Sequence, residues 1–324
     1  MPTLSRAVLG GTALLAAALA LTACTEMGQH MAESDARARS ARYAAQGNPQ
    51  FSDPRLQAVV AQFEADYAAI GLDADKLGLD QGAACPATQD AAFRTVLGLA
   101  PEQYRQAQEE VWRQVPGYTS IVDPDSVRLA MLSGGCGVEG PEGPATVAGS
   151  YRTITRIRGD GFSNVTVTDT VARLTATWIE GQRRNLQSLI SISASEQFKE
   201  TGEGQLAEDV SDWDYLNEIR TAPTGAYTYF VTNPDGSTRY QVMFARNVSS
   251  GIYTTTVTET LDAQRNYART WQGTELLTEQ PFKDNKLHGW AIVHPQVYDG
   301  TPIPGRRDCY QNGELVKALE CPST

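Results

Sequence analysis

Residues 162–178 read Phe-Ser-Asn-Val-Thr-Val-Thr-Asp-Thr-Val-Ala-Arg-Leu-Thr-Ala-Thr-Trp, and their pattern is the main indication of the fold class. Threonine alternates with valine and other apolar residues, which is the period of a strand with one buried side. Residues 186–198, which begin Leu-Gln-Ser-Leu-Ile-Ser-Ile-Ser, predict another strand of this kind. Threonine at alternate positions suits an antiparallel sheet that has one face in water.

Strand and hairpin signals continue toward the C-terminus. Residues 227–232 and 238–245 flank Asn233-Pro234-Asp235-Gly236, a turn sequence between two alternating segments. Residues 252–261 and 267–279 predict two more strands. The C-terminal part of the chain is therefore expected to be a series of antiparallel strands.

Before residue 145 the periodicity is helical. Asp53-Pro54 is a typical helix start, with a capping side chain and a proline in the first turn, and Gly71 ends that helix. Asp123-Pro124 predicts another start, for a short helix that ends at Gly134-Gly135. The four predicted helices cover about 54–70, 90–97, 101–115 and 123–134.

The predicted fold class is α+β, with a small N-terminal helical region followed by a larger antiparallel β-rich domain built of hairpins. About 300 residues can form one large domain or two smaller ones. The predicted organisation is a signal peptide at 1–23, a polar tether at 24–50, a helical region at 51–144 and the β-rich domain at 145–324.

The N-terminus carries a targeting signal. Arg6 precedes the apolar segment 7–21, which is too short for a membrane span of about 20 residues and fits a signal peptide. The following Leu21-Thr22-Ala23-Cys24 resembles the lipobox of bacterial lipoproteins, which implies that Cys24 is lipidated and becomes the mature N-terminus. Thr25 differs from the aspartate that resembles an inner-membrane retention signal, so the resemblance favours the outer membrane of a Gram-negative cell envelope. An ordinary cleaved signal peptide is the alternative.

The charge balance restricts the partners. The formal net charge is −11, and removal of residues 1–23 takes away one positive charge, Arg6, and leaves −12. Such a chain repels nucleic acid and anionic lipid headgroups. We therefore expect membrane attachment through the lipid, a partner among envelope proteins or in the cell wall, and no nucleic acid.

Cysteine usage predicts disulfides. Four cysteines remain once the lipidated one is set aside, and an even number in an oxidising compartment predicts two bonds with three possible pairings. Sequential pairing is favoured, Cys85 with Cys136 and Cys309 with Cys321, because each pair falls within one region of distinct composition. No Cys-x-x-Cys spacing occurs, so a metal role for these cysteines is not favoured.

The pairing of Cys309 with Cys321 is possible only if the chain follows a particular path. A two-residue turn at Asn312-Gly313 places Val316 opposite Cys309 in the hairpin. A bond between Cys309 and Cys321 therefore requires the chain to bend back after the second strand.

Residues 282–293, Phe-Lys-Asp-Asn-Lys-Leu-His-Gly-Trp-Ala-Ile-Val, resemble one unit of the MORN (membrane occupation and recognition nexus) repeat. The shared features are an aromatic residue, a turn of the Asn-Gly-Lys type, a His-Gly pair and a return strand. Residues 310–316 resemble a second, truncated unit, and 178–185 a third. Asn285 and Ala291 stand where the repeat usually has glycine. The resemblance implies MORN-like hairpins at about 280–316 in a structural or protein-binding platform and names no catalytic residue; generic hairpins with the same turn chemistry are the alternative.

Candidate functional side chains are few. His288 and His294 bracket a predicted strand that contains Trp290, and six residues along a strand returns to the same side, so a paired acid/base or metal site is possible. In the repeat, however, His288 would be structural. Trp213 and Tyr215, within a polar acidic segment, are candidate aromatic contacts for a protein partner.

Two functional hypotheses follow. The first, which we favour, is a lipid-anchored envelope protein that acts as a non-catalytic binding or structural module, with no cofactor and no metal. Its candidate binding surface comprises Trp213, Tyr215, His288, Trp290 and His294. The alternative is an envelope hydrolase with a site around His288 and His294. Known motifs for zinc hydrolases, nucleophile elbows and phosphate-binding loops do not occur in the sequence.

Overall fold

A computed structural model describes residues 48–85, 88–114, 117–159, 162–201, 205–208, 223–246, 253–298 and 301–322. The signal peptide, Cys24 and the tether up to residue 47 lie outside the described residues. So do Trp213 and Tyr215. Within the described ranges, no helix is long and apolar enough to cross a membrane.

Three of the four predicted helices are confirmed. They are α1 (Pro54–Ile70), α2 (Gln89–Leu97) and α3 (Pro101–Gln114). Asp53 caps α1 by accepting a hydrogen bond from the Arg55 backbone N–H, and Thr88 caps α2 in the same way. Two short 3-10 turns, Ala74–Leu77 and Ala318–Glu320, follow α1 and close the C-terminal region.

Strands make up most of the remaining described chain. They are β1 (Ala83–Ala84), β2 (Tyr118–Gly137), β3 (Gly140–Gly159), β4 (Phe162–Ile179), β5 (Gln182–Thr201), β6 (Gln205–Glu208), β7 (Thr224–Thr232), β8 (Thr238–Arg246), β9 (Tyr253–Thr260), β10 (Arg265–Gln272), β11 (Glu275–Lys283), β12 (Lys286–Leu287), β13 (Gly289–Val293), β14 (Gln296–Tyr298), β15 (Thr301–Ile303), β16 (Arg306–Gln311) and β17 (Glu314–Val316).

The strands form one antiparallel meander. Its order is β1-β2-β3-β4-β5-β7-β8-β9-β10-β11-β13-β16-β17, so the path follows the chain without a crossover. Strand β6 pairs with β5, β12 pairs with β11, and β14 and β15 form a separate two-stranded hairpin. The expected α+β class is confirmed, with an antiparallel sheet dominating and a small helical part near the N-terminus.

The fourth predicted helix is wrong. Residues 118–137 are strand β2, and the Asp123-Pro124 signal begins a bulge in it, where the register shifts between Asp123 and Arg128. Asp123 uses its capping chemistry to accept the Asp125 backbone N–H in this bulge. Helices therefore end at Gln114, and the change to strands comes earlier than residue 145, which lies inside β3.

One further predicted segment differs from the structure. Residues 267–279 contain parts of two strands, because Gly273 turns the chain between β10 and β11. By contrast, the strands expected on both sides of residues 233–236 are confirmed as β7 and β8. Strand β9, at Tyr253–Thr260, agrees with the predicted segment.

Side chains that are paired across the sheet share a face, and α1 covers one of these faces. On this α1 face Ile190, Tyr227 and Phe244 are aligned on β5, β7 and β8. Phe63 of α1 stacks on Phe244 with ring centroids 4.0 Å apart. The Tyr227 hydroxyl also donates to the Gly71 carbonyl at 2.6 Å, which fastens the end of α1 to the sheet.

Helices α2 and α3 pack on the opposite face, the α2 face, mainly over β2, β3 and β5. Gly149 allows this contact, because a Cβ there would lie 2.4 Å from Cγ2 of Val96 in α2. A second hydrophobic cluster lies on this face, and Trp178 and Leu174 are among its fully buried members. Each face of the long strands is thus covered by helix over part of its length.

Both predicted disulfides are formed. Cys85–Cys136 and Cys309–Cys321 have Cα–Cα distances of 5.8 and 5.7 Å. Cys309 is paired with Val316 in the β16–β17 ladder, and the chain then turns back through Ala318–Glu320 to bring Cys321 to Cys309. The bend that the sequence required is therefore present.

Candidate functional site: a polar cluster and a neutral patch on the C-terminal strands

Polar side chains gather on the α1 face beyond the region that α1 covers. Register places Arg269 of β10 directly opposite Glu279 of β11. Tyr267 lies two residues from Arg269 and therefore on the same face. His294 follows β13, the strand that pairs with β11. Three neighbouring strands thus bring one carboxylate and three potential donors together.

Glu279 is the centre of this cluster. The Tyr267 hydroxyl donates to Glu279 Oε2 at 2.9 Å, and His294 Nε2 lies 3.0 Å from Oε1. Arg269 Nε approaches Oε2 at 3.4 Å, and its guanidinium lies over the Tyr267 ring at 4.8 Å from the centroid. Both carboxylate oxygens are therefore engaged by groups of the same sheet.

These contacts set the ionisation of the cluster. Partial burial opposes the charge on Glu279, but hydrogen bonds from Tyr267, His294 and Arg269 outweigh it, so the pKa of Glu279 is lowered. Burial, followed by the bond to Glu279, raises the pKa of Tyr267. A carboxylate held in this way orients its donors, which suits a structural lock between strands.

The two candidate histidines are not brought into one site. His288 lies between β12 and β13, and its Nδ1 is 3.2 Å from Asn312 Oδ1 and 3.4 Å from the Asn312 backbone nitrogen. His294 instead contacts Glu279. The expected return to one side of a continuous strand fails because β12 ends at Leu287 and β13 begins at Gly289.

His288 and Asn312 connect the two repeat-like hairpins. The Gly313 backbone N–H also donates to the Leu287 carbonyl at 2.8 Å. Asn312 and Gly313 both have positive φ, 52° and 93°, and so do Asp284 (50°) and Asn285 (61°). Such pairs form the tight turns that match strand twist. The contacts give His288 a structural role between successive turns.

Trp290 is half-buried on β13. The Arg307 guanidinium of the neighbouring strand β16 lies over its ring at 4.1 Å from the centroid. Cation–π contacts of this kind are worth about 0.5–1 kcal/mol where they are exposed. Trp290 therefore has a packing partner within its own sheet.

The α2 face of β7–β11 carries a second feature, which we call the neutral patch. Its fourteen residues are aligned across the five strands by the pairing register and are Ala226, Thr228, Phe230, Gln241, Met243, Ala245, Thr254, Thr256, Thr258, Ala268, Thr270, Gln272, Thr278 and Gln280. None of the fourteen is ionisable, although one residue in five of the whole chain is charged. Glu275, which is paired with Gln272 in the β10–β11 register and is exposed, borders the patch on this face. On the α1 face of the same strands lie Glu259, Arg269 and Glu279.

The neutral patch is partly open to solvent. Gln241 is exposed, Thr228 and Ala268 are buried among their neighbours, and the other members are half-buried. Neighbouring threonines pair with each other, as in the 3.1 Å contact between the Thr256 and Thr270 hydroxyls. The sequence signal for this surface was the threonine at alternate positions, but its extent depends on the register of five strands.

Cavities lie along the described part of the sheet. A groove of about 590 Å³ runs between the 74–80 segment and β2–β4 and is lined by Asp and Arg side chains such as Asp123 and Arg128. A second, of about 580 Å³, lies under the β14–β15 hairpin and is mainly apolar, with Leu276 and Val297 in its lining. A smaller one, of about 300 Å³, lies beside His288.

Among the described residues, no group of three or more His, Cys, Asp or Glu side chains is arranged to hold a metal ion. Comparison with known proteins found no matching family model, no matching curated protein and no matching solved structure.

Proposed function

We propose that this protein is a lipid-anchored cell-envelope protein whose folded part acts as a non-catalytic binding or structural module. The observation that carries the proposal is the open portion of the sheet. Helices α2 and α3 pack mainly on β2, β3 and β5, whereas the α2 face of β7–β11 keeps part of its side-chain surface exposed. A broad sheet face held by backbone ladders is a rigid surface for a partner.

The disulfides support an exported location. Two intramolecular disulfides are expected of proteins in oxidising compartments such as the bacterial periplasm. They lie near the two ends of the meander, because Cys136 is in β2 and Cys309 is in β16. The Leu21–Cys24 pattern adds the anchor, and acyl chains on Cys24 would hold the module at the membrane.

The polar cluster is also consistent with a binding or structural module. Both carboxylate oxygens of Glu279 are hydrogen-bonded within the protein, to Tyr267, Arg269 and His294. This network links β10, β11 and the segment after β13, so its first effect is to fix those strands relative to each other. His288 similarly fixes one turn to the next through Asn312.

The anchor is tested by membrane fractionation of the full chain. After washing at high salt and alkaline pH, we expect the native chain to remain with the membrane and the Cys24→Ser chain to be released. Retention of both chains would contradict attachment through Cys24.

The binding function is tested by cross-linking in intact membranes. A photo-reactive residue at Gln241, on the open face, is expected to give a reproducible adduct with an envelope protein or cell-wall material. The same residue at Thr274, in the exposed β10–β11 turn, serves as the control. Single substitutions are used instead of deleting the predicted β-rich domain from residue 145 onward, because such a deletion would cut through β3.

A hydrolase centred on His294 is the second candidate. One observation favours it, the 3.0 Å contact between His294 Nε2 and Glu279 Oε1, because a carboxylate orients a catalytic histidine in this way. Screening of envelope ester, amide and glycoside substrates with native, His294→Ala and His288→Ala chains separates the two functions. A turnover that is lost only in His294→Ala would replace the binding function with catalysis.

A further inference from the structure

The neutral patch has a composition that restricts its partner. It contains six threonines and three glutamines, with Phe230 and Met243 between them. Threonine hydroxyls and glutamine amides both donate and accept hydrogen bonds, and neither carries a charge. Phe230 and Met243 supply apolar surface at one end of the five-strand array.

The fourteen patch residues carry no charge, and the bordering carboxylate of Glu275 lies exposed at the start of β11, so the centre of the patch disfavours ionic partners. A charged group that leaves water needs a counter-charge or a full set of hydrogen bonds, and otherwise its burial is costly. The nearest charge along β8, Arg239, is already paired with Glu259. The net charge of −11 over the whole chain further disfavours an anionic polymer.

An uncharged polysaccharide meets these conditions. Sugar hydroxyls and N-acetyl groups donate and accept hydrogen bonds as the patch does, and the C–H faces of sugar rings pack on apolar side chains. The patch spans five strands, about 19 Å across them and about 14 Å along them at ordinary strand spacing, which is enough for a short glycan segment. Hydroxyl pairs also occur on the same face of β4 and β5, where Thr170 and Ser193 are 2.9 Å apart.

We propose that the neutral patch on the α2 face of β7–β11 binds an uncharged glycan. This inference rests on the proposed binding function and names its class of ligand. Threonine and glutamine side chains supply the hydrogen bonds, and Phe230 and Met243 contact the apolar face of a sugar ring.

The test measures binding of the full chain, purified in detergent, to insoluble chitin and to amylose beads. Chitin offers uncharged N-acetyl and hydroxyl groups, and amylose offers hydroxyl groups alone. Two substitutions place opposite charges in the patch: Gln241→Glu at its exposed position, and Thr258→Lys between Gln241 and Ala268 in the register. Gln311→Glu, at an exposed position on β16, is the matched control.

We expect the native chain and Gln311→Glu to bind at least one of the two polymers, and both patch substitutions to weaken that binding at least tenfold. Because either sign of charge must interfere, a gain with one sign and a loss with the other would overturn the neutral-ligand inference. Circular dichroism and thermal unfolding confirm that each variant is folded. If Thr258→Lys is not, Thr258→Ala replaces it, with a smaller expected loss.

Two other results would overturn the inference. Failure of the native chain to bind either polymer removes the ligand class. A dimer in sedimentation analysis that Gln241→Glu dissociates would make the patch an interface between two copies. If an envelope protein is cross-linked from position 241 while neither polymer is bound, the proposed binding function stands and the glycan assignment fails.

Discussion

Phe63 connects α1 to the sheet, and its removal is a stringent test of the α1-face core. Its side chain is 5% exposed, and its ring stacks on Phe244 at a centroid distance of 4.0 Å. The Tyr227 and Tyr67 rings lie at 5.4 and 5.7 Å. The substitution Phe63→Ala removes these three ring contacts together with a fourth, to Tyr253 at 5.9 Å.

The expected magnitude follows from the buried area. An aromatic side chain of this size buries roughly 170 Å², which at about 25 cal/mol per Å² gives about 4 kcal/mol. Measured Phe→Ala substitutions in cores cost about 3–5 kcal/mol, because a cavity remains where the ring was. We therefore expect the free energy of unfolding to fall by about 4 kcal/mol. At about 2 °C per kcal/mol for a large domain, the melting temperature falls by about 8 °C.

Urea unfolding followed by circular dichroism measures this change directly. Gln62→Ala, at the neighbouring exposed position of α1, is the control and should alter the free energy of unfolding by less than about 0.5 kcal/mol. If Phe63→Ala lowers the free energy of unfolding by less than about 1 kcal/mol, the packing described above is refuted, because removal of a well-buried ring of this size costs more than that.

Three other perturbations test separate parts of the fold. Replacing Cys309 and Cys321 together by serine removes a disulfide between cysteines that are 12 residues apart. The local stability should fall by about 3 kcal/mol, which accelerates amide exchange in β16 and β17 about a hundredfold. Unchanged exchange would contradict this expectation. Burial and the Asp66 carboxylate raise the pKa of Tyr229, so the unfolded state ionises first, near pH 10, and the free energy of unfolding falls above that pH by about 1.4 kcal/mol per unit. Tyr229→Phe should remove that increment from the slope of urea stability against pH, and an unaltered slope would exclude the assignment. Gly149→Ala should cost about 1–3 kcal/mol, because the new Cβ meets Val96 of α2 at 2.4 Å; recovery in the double variant with Val96→Ala, measured by urea unfolding, checks the cause.

The helices show how well local capping signals predict secondary structure. At Asp53 the cap, the proline in the first turn and the following apolar period agreed, and α1 is where they predicted it. At Asp123 the cap and the proline were present too, but the segment became a bulge in β2. A capping side chain satisfies a backbone N–H equally well in a helix or in a turn, so it cannot by itself distinguish the two. Pairing with β3 along nearly its whole length decided the outcome.

In the candidate site, too, the sequence identified some residues but not their partners. His288 and His294 were recognised from the sequence, but their partners, Asn312 and Glu279, come from neighbouring hairpins. The interruption between β12 and β13 separates the two rings, and no periodicity argument anticipated it. Cross-strand partners depend on register, which is a property of the assembled sheet.

Sequence patterns alone were enough to predict the α+β class, the three helices that form and the turn at residues 233–236, and they favoured the sequential pairing of the cysteines. These features depend on short-range chemistry: capping, alternation, turn residues and composition. The faces that α1 and α2 cover, and the assembly of fourteen uncharged side chains from five strands into one surface, depend on the folded sheet. Alternation specifies that a strand has two faces, but strand order, register and helix docking determine which face is buried and what lies beside each residue.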